Sequence, residues 1–347
     1  MHRATLVGLA LTALGAAMAA PPAPAADLYR IKQAVPLGAP DGWDYVVADS
    51  ATHRVYVAHG DHLTIVDAAH GTVLGQVAGF PGGTHGTAVA TDLGRGYTDD
   101  GRAGEAGGFD LTTFKPTKHV KVEEDADAMA YDPVSHHVFV MSGGGTVSVI
   151  DPRKDDAVTN INVGGGLEYA AVDGAGKLYV NGASKQEIIR IDTATNTVTA
   201  RWPVPDCQRP HGMAIDAKHH RLFTSCVNSV LQVINTDKGT VVATVPIGQG
   251  TDAAGFDPVR GRVFSSNGRD GTITVIQEKD PDTYVPLGVV TTAVSARTMD
   301  VDASTGSLYV VAADIAKTDA PPQANGRPAR PSYVPGSTRL LILEPLP

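Results

Sequence analysis

The sequence predicts an all-β fold, a seven-bladed β-propeller of four-stranded antiparallel blades closed by the N-terminal strand pairing in the last blade. Three observations predict it. First, an aspartate ends a short apolar run seven times, at Asp49, Asp92, Asp132, Asp173, Asp216, Asp257 and Asp302, with spacings of 43, 40, 41, 43, 41 and 45 residues. Second, the runs between these landmarks are short, β-branched and bounded by Gly, Pro, Asp and Asn, which is the strand signature. Third, the last repeat stops at its third strand, "LLILEP", while "LYRIKQAVPLG" reads as the missing fourth. Pairing these two leaves no free sheet edge at the seam of the ring.

Each repeat opens on a first strand: "WDYVVAD", "GTAVATD", "DAMAYD", "EYAAVD", "HGMAID", "DAAGFD" and "RTMDVD". A turn follows each, then a second strand: "RVYVAH", "GYTDD", "VFVMS", "LYVNG", "LFTSC", "VFSSN" and "LYVVA". Third strands read "LTIVD", "VSVID", "IIRID", "LQVIN", "ITVIQ" and "LLILE", and fourth strands include "VTNINVG" and "TVVATVPIG". Repeat 2 is the weakest, because the glycines of "GEAGGFDLTTF" make a poor third strand. Residues 27–347 are thus expected to form one propeller domain.

With 347 residues, 42% of them hydrophobic, and 38 Gly and 23 Pro, the chain suits a turn-rich globular protein. A formal charge of -9 argues against non-specific binding to nucleic acid or an anionic membrane. Residues 1–26 read as an export signal, with the basic "MHR", an apolar Ala- and Leu-rich run, then small residues. The expectation is a periplasmic or secreted monomer with no membrane span after signal removal. The cysteines are Cys207 and Cys226, both in repeat 5. In an exported chain two cysteines favour a disulfide. Antiparallel first and second strands bring the loop before "HGMAID" back beside "LFTSC", so this pair is expected to bridge.

The stretches "RVYVAHG…LTIVDAAHGTVLG", "LYVNGASKQEIIRIDTATNTV" and "LFTSCVNSVLQVINTDKGTVVATVPIG" resemble the YVTN family of β-propeller repeats. The family's signature tetrapeptide stands here as "YVAH", "YVNG", "FTSC" and "FSSN". The resemblance spans the mature chain. It implies an exported propeller with a binding or surface role. Related propellers include lactonases and subunits of quinone-cofactor dehydrogenases.

First strands line the central channel of a propeller, so residues at their starts converge on one mouth. The position five before each landmark gives Asp44, Thr87, Asp127, Glu168, His211, Asp252 and Arg297. All but Thr87 are ionisable, in a chain that is 19% charged. The turns after the second strands add His59, Asp99, Asp100, Asn181, Asn228, Asn267 and Asp314, and His85 lies beside Thr87. Two readings fit this ring. It is the polar lining of a solvated channel, or it is a site for a small polar ligand, a protein partner or a divalent cation such as calcium, magnesium or zinc. In the cation reading, Asp44, Asp127, Glu168 and Asp252 are the ligands.

The leading expectation is a binding or scaffold protein. The alternative is a metal-dependent hydrolase of lactonase type, with His211 as general base and Arg297 as oxyanion clamp. No nucleophile elbow, zinc-protease helix or CxxC pair supports catalysis, and whether the chain is an enzyme stays open. His53, His136, His137, His219 and His220 fall in turns between first and second strands, on the opposite rim, and read as turn residues. His62, His70 and His119 read as surface positions. The Pro-rich insertion 313–338 carries Arg327 and Arg330, with Arg339 close by. It is expected to emerge at the mouth, as a lid or docking arm or as a plain solvent loop.

Overall fold

A computed structural model describes residues 28–316 and 331–346. The expected export signal and the middle of the insertion, with Arg327 and Arg330, lie outside the described residues.

Seven four-stranded antiparallel sheets follow one another around a ring. Blades 1 to 6 are residues 46–78, 87–121, 126–162, 167–203, 210–246 and 251–291. Blade 7 is built from Met299–Val301, Leu308–Ala312 and Arg339–Pro345, with Tyr29–Pro36 as its fourth strand. Tyr29 pairs with Pro345 and Pro36 with Arg339. The two ends of the chain therefore share one sheet, as the sequence predicts.

The landmark aspartates repeat because each caps a turn. Asp49, Asp132, Asp173, Asp216, Asp257 and Asp302 each accept a backbone N–H two or three residues ahead, at 2.8 to 3.1 Å. Short polar side chains favour such turns because they satisfy the backbone locally. Asp92 departs from the pattern, sitting in the short 3-10 helix Thr91–Leu93 and accepting from Tyr131.

Blade 2 is complete, against its weak sequence pattern. Its third strand is Glu105–Asp110, and Pro116–Lys121 is the fourth. The two glycines are accommodating large neighbours. A Cβ on Gly107 would lie 2.4 Å from the Phe80 ring, and one on Gly108 would lie 3.1 Å from the Tyr97 ring. Both rings are fully buried. Low strand propensity is overridden here by packing.

A blade buries two faces, so it needs a neighbour on each side. Seven apolar clusters meet this need, one between each adjacent pair of blades. The seam cluster between blades 7 and 1 includes Val35, Trp43, Val57, Val311 and Leu340. Beside it, the Asp300 carboxylate of blade 7 accepts the Ala48 N–H of blade 1 at 2.8 Å.

Two histidines differ from expectation in their surroundings. His62 is buried rather than a surface residue, with Nδ1 2.9 Å from Asp61. His119 is exposed as expected, its ring stacked on Phe80 at 5.6 Å. His219 pairs with two carboxylates, described below.

Gly107→Val is expected to destabilise the fold by about 2 kcal/mol, the usual scale of overpacking. The urea midpoint measures this, and Gly42→Ala, at an open position without a left-handed backbone, controls for loss of a glycine as such.

Candidate functional site at the channel mouth

The first strands of blades 3 to 6 share a distortion. Their pairing with the second strand shifts between Ala126 and Met129, Leu167 and Ala170, Pro210 and Met213, and Thr251 and Ala254. Asp127, Glu168, His211 and Asp252 each fall inside such a bulge. A bulge releases a residue from the ladder and re-aims its side chain. Asp44 and Arg297 reach the mouth from just before the short first strands of blades 1 and 7.

These six residues line one mouth. Asp44, Asp127, Glu168, His211, Asp252 and Arg297 surround a cavity of about 420 Å³, joined by Arg209. Asp44, Asp127 and Arg297 also line an adjoining cavity of about 560 Å³, with His85, Trp43, Pro331 and Tyr333. Tyr333 returns from the insertion and packs on Trp43 at 5.1 Å, so the insertion does emerge at this rim. Beneath the ring, Tyr45 and Tyr169 face each other across the channel at 4.2 Å. A small inner space of about 130 Å³ lies below and takes residues from every blade, including Thr87. Thr87 thus sits in the channel rather than at the mouth.

The second-strand turns contribute less than expected. His59 is fully buried and bonded to the Pro40 carbonyl at 2.6 Å and to Thr64 at 3.0 Å. Asn267 is fully buried and donates to Thr272 and Thr274. Asn228 fastens the loop of Cys207, accepting from Gln208 N–H and donating to the Asp206 carbonyl. None of these three lines a mouth cavity. They turn back into their own blades instead. Asp314 pairs with Arg339 at 2.8 Å. Asp99 and Asn181 support the mouth from behind. Asp99 accepts from the backbone of His85 and Gly86 and from the His85 ring at 2.8 Å. Asn181 donates to the carbonyls of His211 and Gly212. Asp100, also buried, keeps Oδ1 without a partner.

Cys207 and Cys226 form the expected disulfide, with Cα atoms 5.2 Å apart. It ties the loop ahead of Arg209 and His211 to the second strand of blade 5. A cross-link closing a loop of this size removes about 3 kcal/mol of unfolded-state freedom in the chain-entropy account.

The charges at the mouth are unevenly matched. Arg209 lies 3.4 Å from Glu168, and His211 Nδ1 lies 3.5 Å from Glu168 and 3.1 Å from Asp252. Arg297 Nε is 3.3 Å from Asp252, and its Nη2 is 3.8 Å from Asp44. Nη2 donates to the Trp43 carbonyl at 2.6 Å, and the guanidinium lies over the Trp43 ring. These contacts hold Arg297 in place. Yet His211 Nδ1 and Arg297 Nε are buried without a well-directed hydrogen bond, despite their short distances to Asp252. Asp127 has no cationic side chain within ion-pair distance among the described residues.

Protonation follows from this layout. Desolvation raises the Asp127 carboxyl well above its ordinary range, and Asp44 and Glu168 push it further. Desolvation also raises Asp44 and Glu168, against the pull of Arg297 and His211 respectively. Burial lowers His85, but Asp99, then Asp44 and Asp127, outweigh it and lift the ring to about 9. The mouth is therefore carboxylate-rich, with one carboxyl strongly disposed to hold a proton or meet a cation.

Among the described residues, no three His, Cys or acidic groups of this mouth bring ligand atoms within 4.8 Å of one another; the one group that does so is Asp216, His219 and Glu278, elsewhere. The Asp44, Asp127, Glu168 and Asp252 set stands on one ring but is not drawn into a coordination sphere. His211 Nδ1 bonds to no hydroxyl or thiol that would serve as a nucleophile. The geometry thus gives the hydrolase reading no support.

Sequence reasoning missed Asp300, Arg209 and the Tyr45–Tyr169 pair. Asp300 projects into the inner space, and desolvation raises it to about 6 despite donors from Ala48 and Val301. Its position two residues before Asp302 was the available signal, since alternate strand residues share a face.

No known family model and no curated protein matches the chain. Its fold is similar to a chain of Kuenenia stuttgartiensis hydrazine synthase, at 15% identity and TM-score 0.67, covering 78% of this chain and 92% of that one. It is also similar to U3-55K, at 8% identity and TM-score 0.73, covering 90% and 98%. The WD40 repeats of RRP9 match at 9% identity and TM-score 0.74, covering 94% and 99%. These likenesses show a seven-bladed propeller and no more. No helix among the described residues is long and apolar enough to cross a membrane.

Asp300→Asn tests the burial of charge beneath the mouth. The folded carboxyl is raised from 3.8 to about 6, so the fold binds more protons than the unfolded chain between these values. The stability it contributes is present at acidic pH and is lost as pH rises through about 6. The variant is expected to gain about 1 kcal/mol at pH 7.5, less than the full shift because Asn keeps only one acceptor. It should gain nothing at pH 4.5. Chemical denaturation at the two pH values measures the difference.

Proposed function

We propose that this chain is an exported binding propeller of the YVTN type, whose mouth takes a small polar ligand carrying both a cationic nitrogen and an acceptor oxygen. The observation that carries this reading is the imbalance at the ring. Asp127 lacks a cationic partner among the described residues and is pushed up by burial and by its acidic neighbours. A ligand cation beside it relieves both costs. The acceptor oxygen belongs at His211 Nδ1 and Arg297 Nε, the donors left without directed partners. Buried donors of this kind gain most from a new acceptor. The cavity volumes of about 420 and 560 Å³ suit a small molecule. The aromatic pair Tyr45 and Tyr169 gives such a ligand an apolar floor.

Export is supported by the N-terminal sequence pattern and by the Cys207–Cys226 disulfide, which suits an oxidising compartment.

Titration calorimetry with arginine, lysine, agmatine, putrescine and glycine betaine tests the reading. Arginine is expected to bind more tightly than its decarboxylated counterpart agmatine, and lysine more tightly than the diamine putrescine. Asp127→Asn is expected to weaken binding at least tenfold, about 1.4 kcal/mol. The absence of heat across the whole set, or equal binding by Asp127→Asn, contradicts it.

A further inference from the structure

On the rim opposite the mouth, His53, His136, His219 and His220 occupy turns between first and second strands, while His137, expected in such a turn, opens the second strand of blade 3. Several pair singly and stay substantially exposed: His53 with Asp302, His136 with Asp92, and His220 with Asp237. His219 is different. Its Nδ1 lies 2.6 Å from Asp216 and 3.8 Å from Glu278, and both carboxylates are more than nine-tenths buried.

Glu278 arrives there through an irregularity of blade 6. Its third and fourth strands, Thr272–Asp280 and Thr283–Thr291, are nine residues each. In blades 1 to 5 the same strands are six or seven residues long. The extra length carries the hairpin past the rim and across to blade 5. Arg221, itself buried, clamps it there by donating to the Pro281 carbonyl and to Asp282, each at 2.7 Å. The clamp also commits the Arg221 charge to the hairpin tip. The remaining guanidinium nitrogen donates to the carbonyls of His219 and His220.

The result is a His nitrogen and two buried carboxylates whose ligand atoms all lie within 4.8 Å of one another. Both carboxylates are oriented from behind. Asp216 accepts the N–H groups of Lys218 and His219, and Glu278 accepts the Tyr284 hydroxyl at 3.1 Å. Such outer contacts are what hold metal ligands in position. Two buried carboxyls stand against one imidazole, so charging both of them there is costly unless a cation joins the group.

We infer that Asp216, His219 and Glu278 form a divalent-cation site of zinc type that fastens the extended hairpin of blade 6 to blade 5. One nitrogen and two carboxylate oxygens match a tetrahedral borderline cation with its last position open to water. Calcium, which takes six to eight oxygens, does not fit this set. Ligand atoms around tetrahedral zinc stand roughly 3.4 Å apart, given metal–ligand bonds near 2.1 Å. The His219–Asp216 edge opens by under an ångström to reach this, and the Glu278 edge closes slightly. The site lies on the far rim and does not depend on the ligand proposed for the mouth.

The test is calorimetric titration of chelator-treated, dialysed protein with zinc chloride. The wild type is expected to bind one zinc per chain. His219→Ala and Glu278→Gln should each weaken that binding at least tenfold, while Asp127→Asn at the mouth leaves it unchanged. Far-UV circular dichroism in chelator confirms that each variant is folded, and half-buried His219, less enclosed than Glu278, supplies the variant less apt to disturb packing. The inference is overturned if the wild type takes up no zinc. It is equally overturned if both rim variants bind like wild type, or if Asp127→Asn is the variant that abolishes binding.

Discussion

Ring closure is the constraint on which everything else here depends. Each blade is a sheet with two apolar faces and can bury them only against two neighbours. An open row of such sheets would leave a bare face at each end and an unpaired strand edge in blade 7. The chain solves this by lending Tyr29–Pro36 to the last blade, so that its two ends are stitched by one ladder. The cluster around Trp43, Val311 and Leu340 and the Asp300 carboxylate on the Ala48 N–H complete the seam. Once the ring is closed, seven first strands must point at one axis, and their starting residues must meet.

The mouth chemistry is a consequence of that geometry. Four of the converging residues sit in bulges that free them from the ladder and turn them toward the axis. Convergence brings like charges close and partly out of water, which a solvated strand would never require. Arg297 and His211 offset part of the repulsion, and both are themselves held from outside the ring. Trp43 of blade 1 grips Arg297, and Asn181 of blade 4 grips the backbone at His211. What is left over concentrates on Asp127.

Much of this was legible in the chain because its causes are local. The landmark aspartates are visible as a repeat because all but Asp92 close their own turn within three residues. With the period known, register alone picked out Asp44, Asp127, Glu168, His211, Asp252 and Arg297. The Cys207–Cys226 pairing followed from the same register. What stayed hidden depends on contacts distant in sequence. The third strand of blade 2 forms because Phe80 and Tyr97 fill the space beside Gly107 and Gly108. His59 and Asn267 were placed at the mouth by position, yet their polar atoms are absorbed by Thr64, Pro40, Thr272 and Thr274. Glu278 meets Asp216 and His219 only because a two-strand extension of blade 6 folds over blade 5.

The central claim is that the ring places Asp127 in a partly dry, acidic setting that favours a proton or a cation. Carbon-13 NMR titration of the Asp127 side-chain carboxyl, assigned through Asp127→Asn, reads this directly. The account predicts a midpoint well above the ordinary aspartate value near 3.9, falling when a cationic ligand such as arginine is added. A midpoint at the ordinary value, unmoved by any cation, would contradict it.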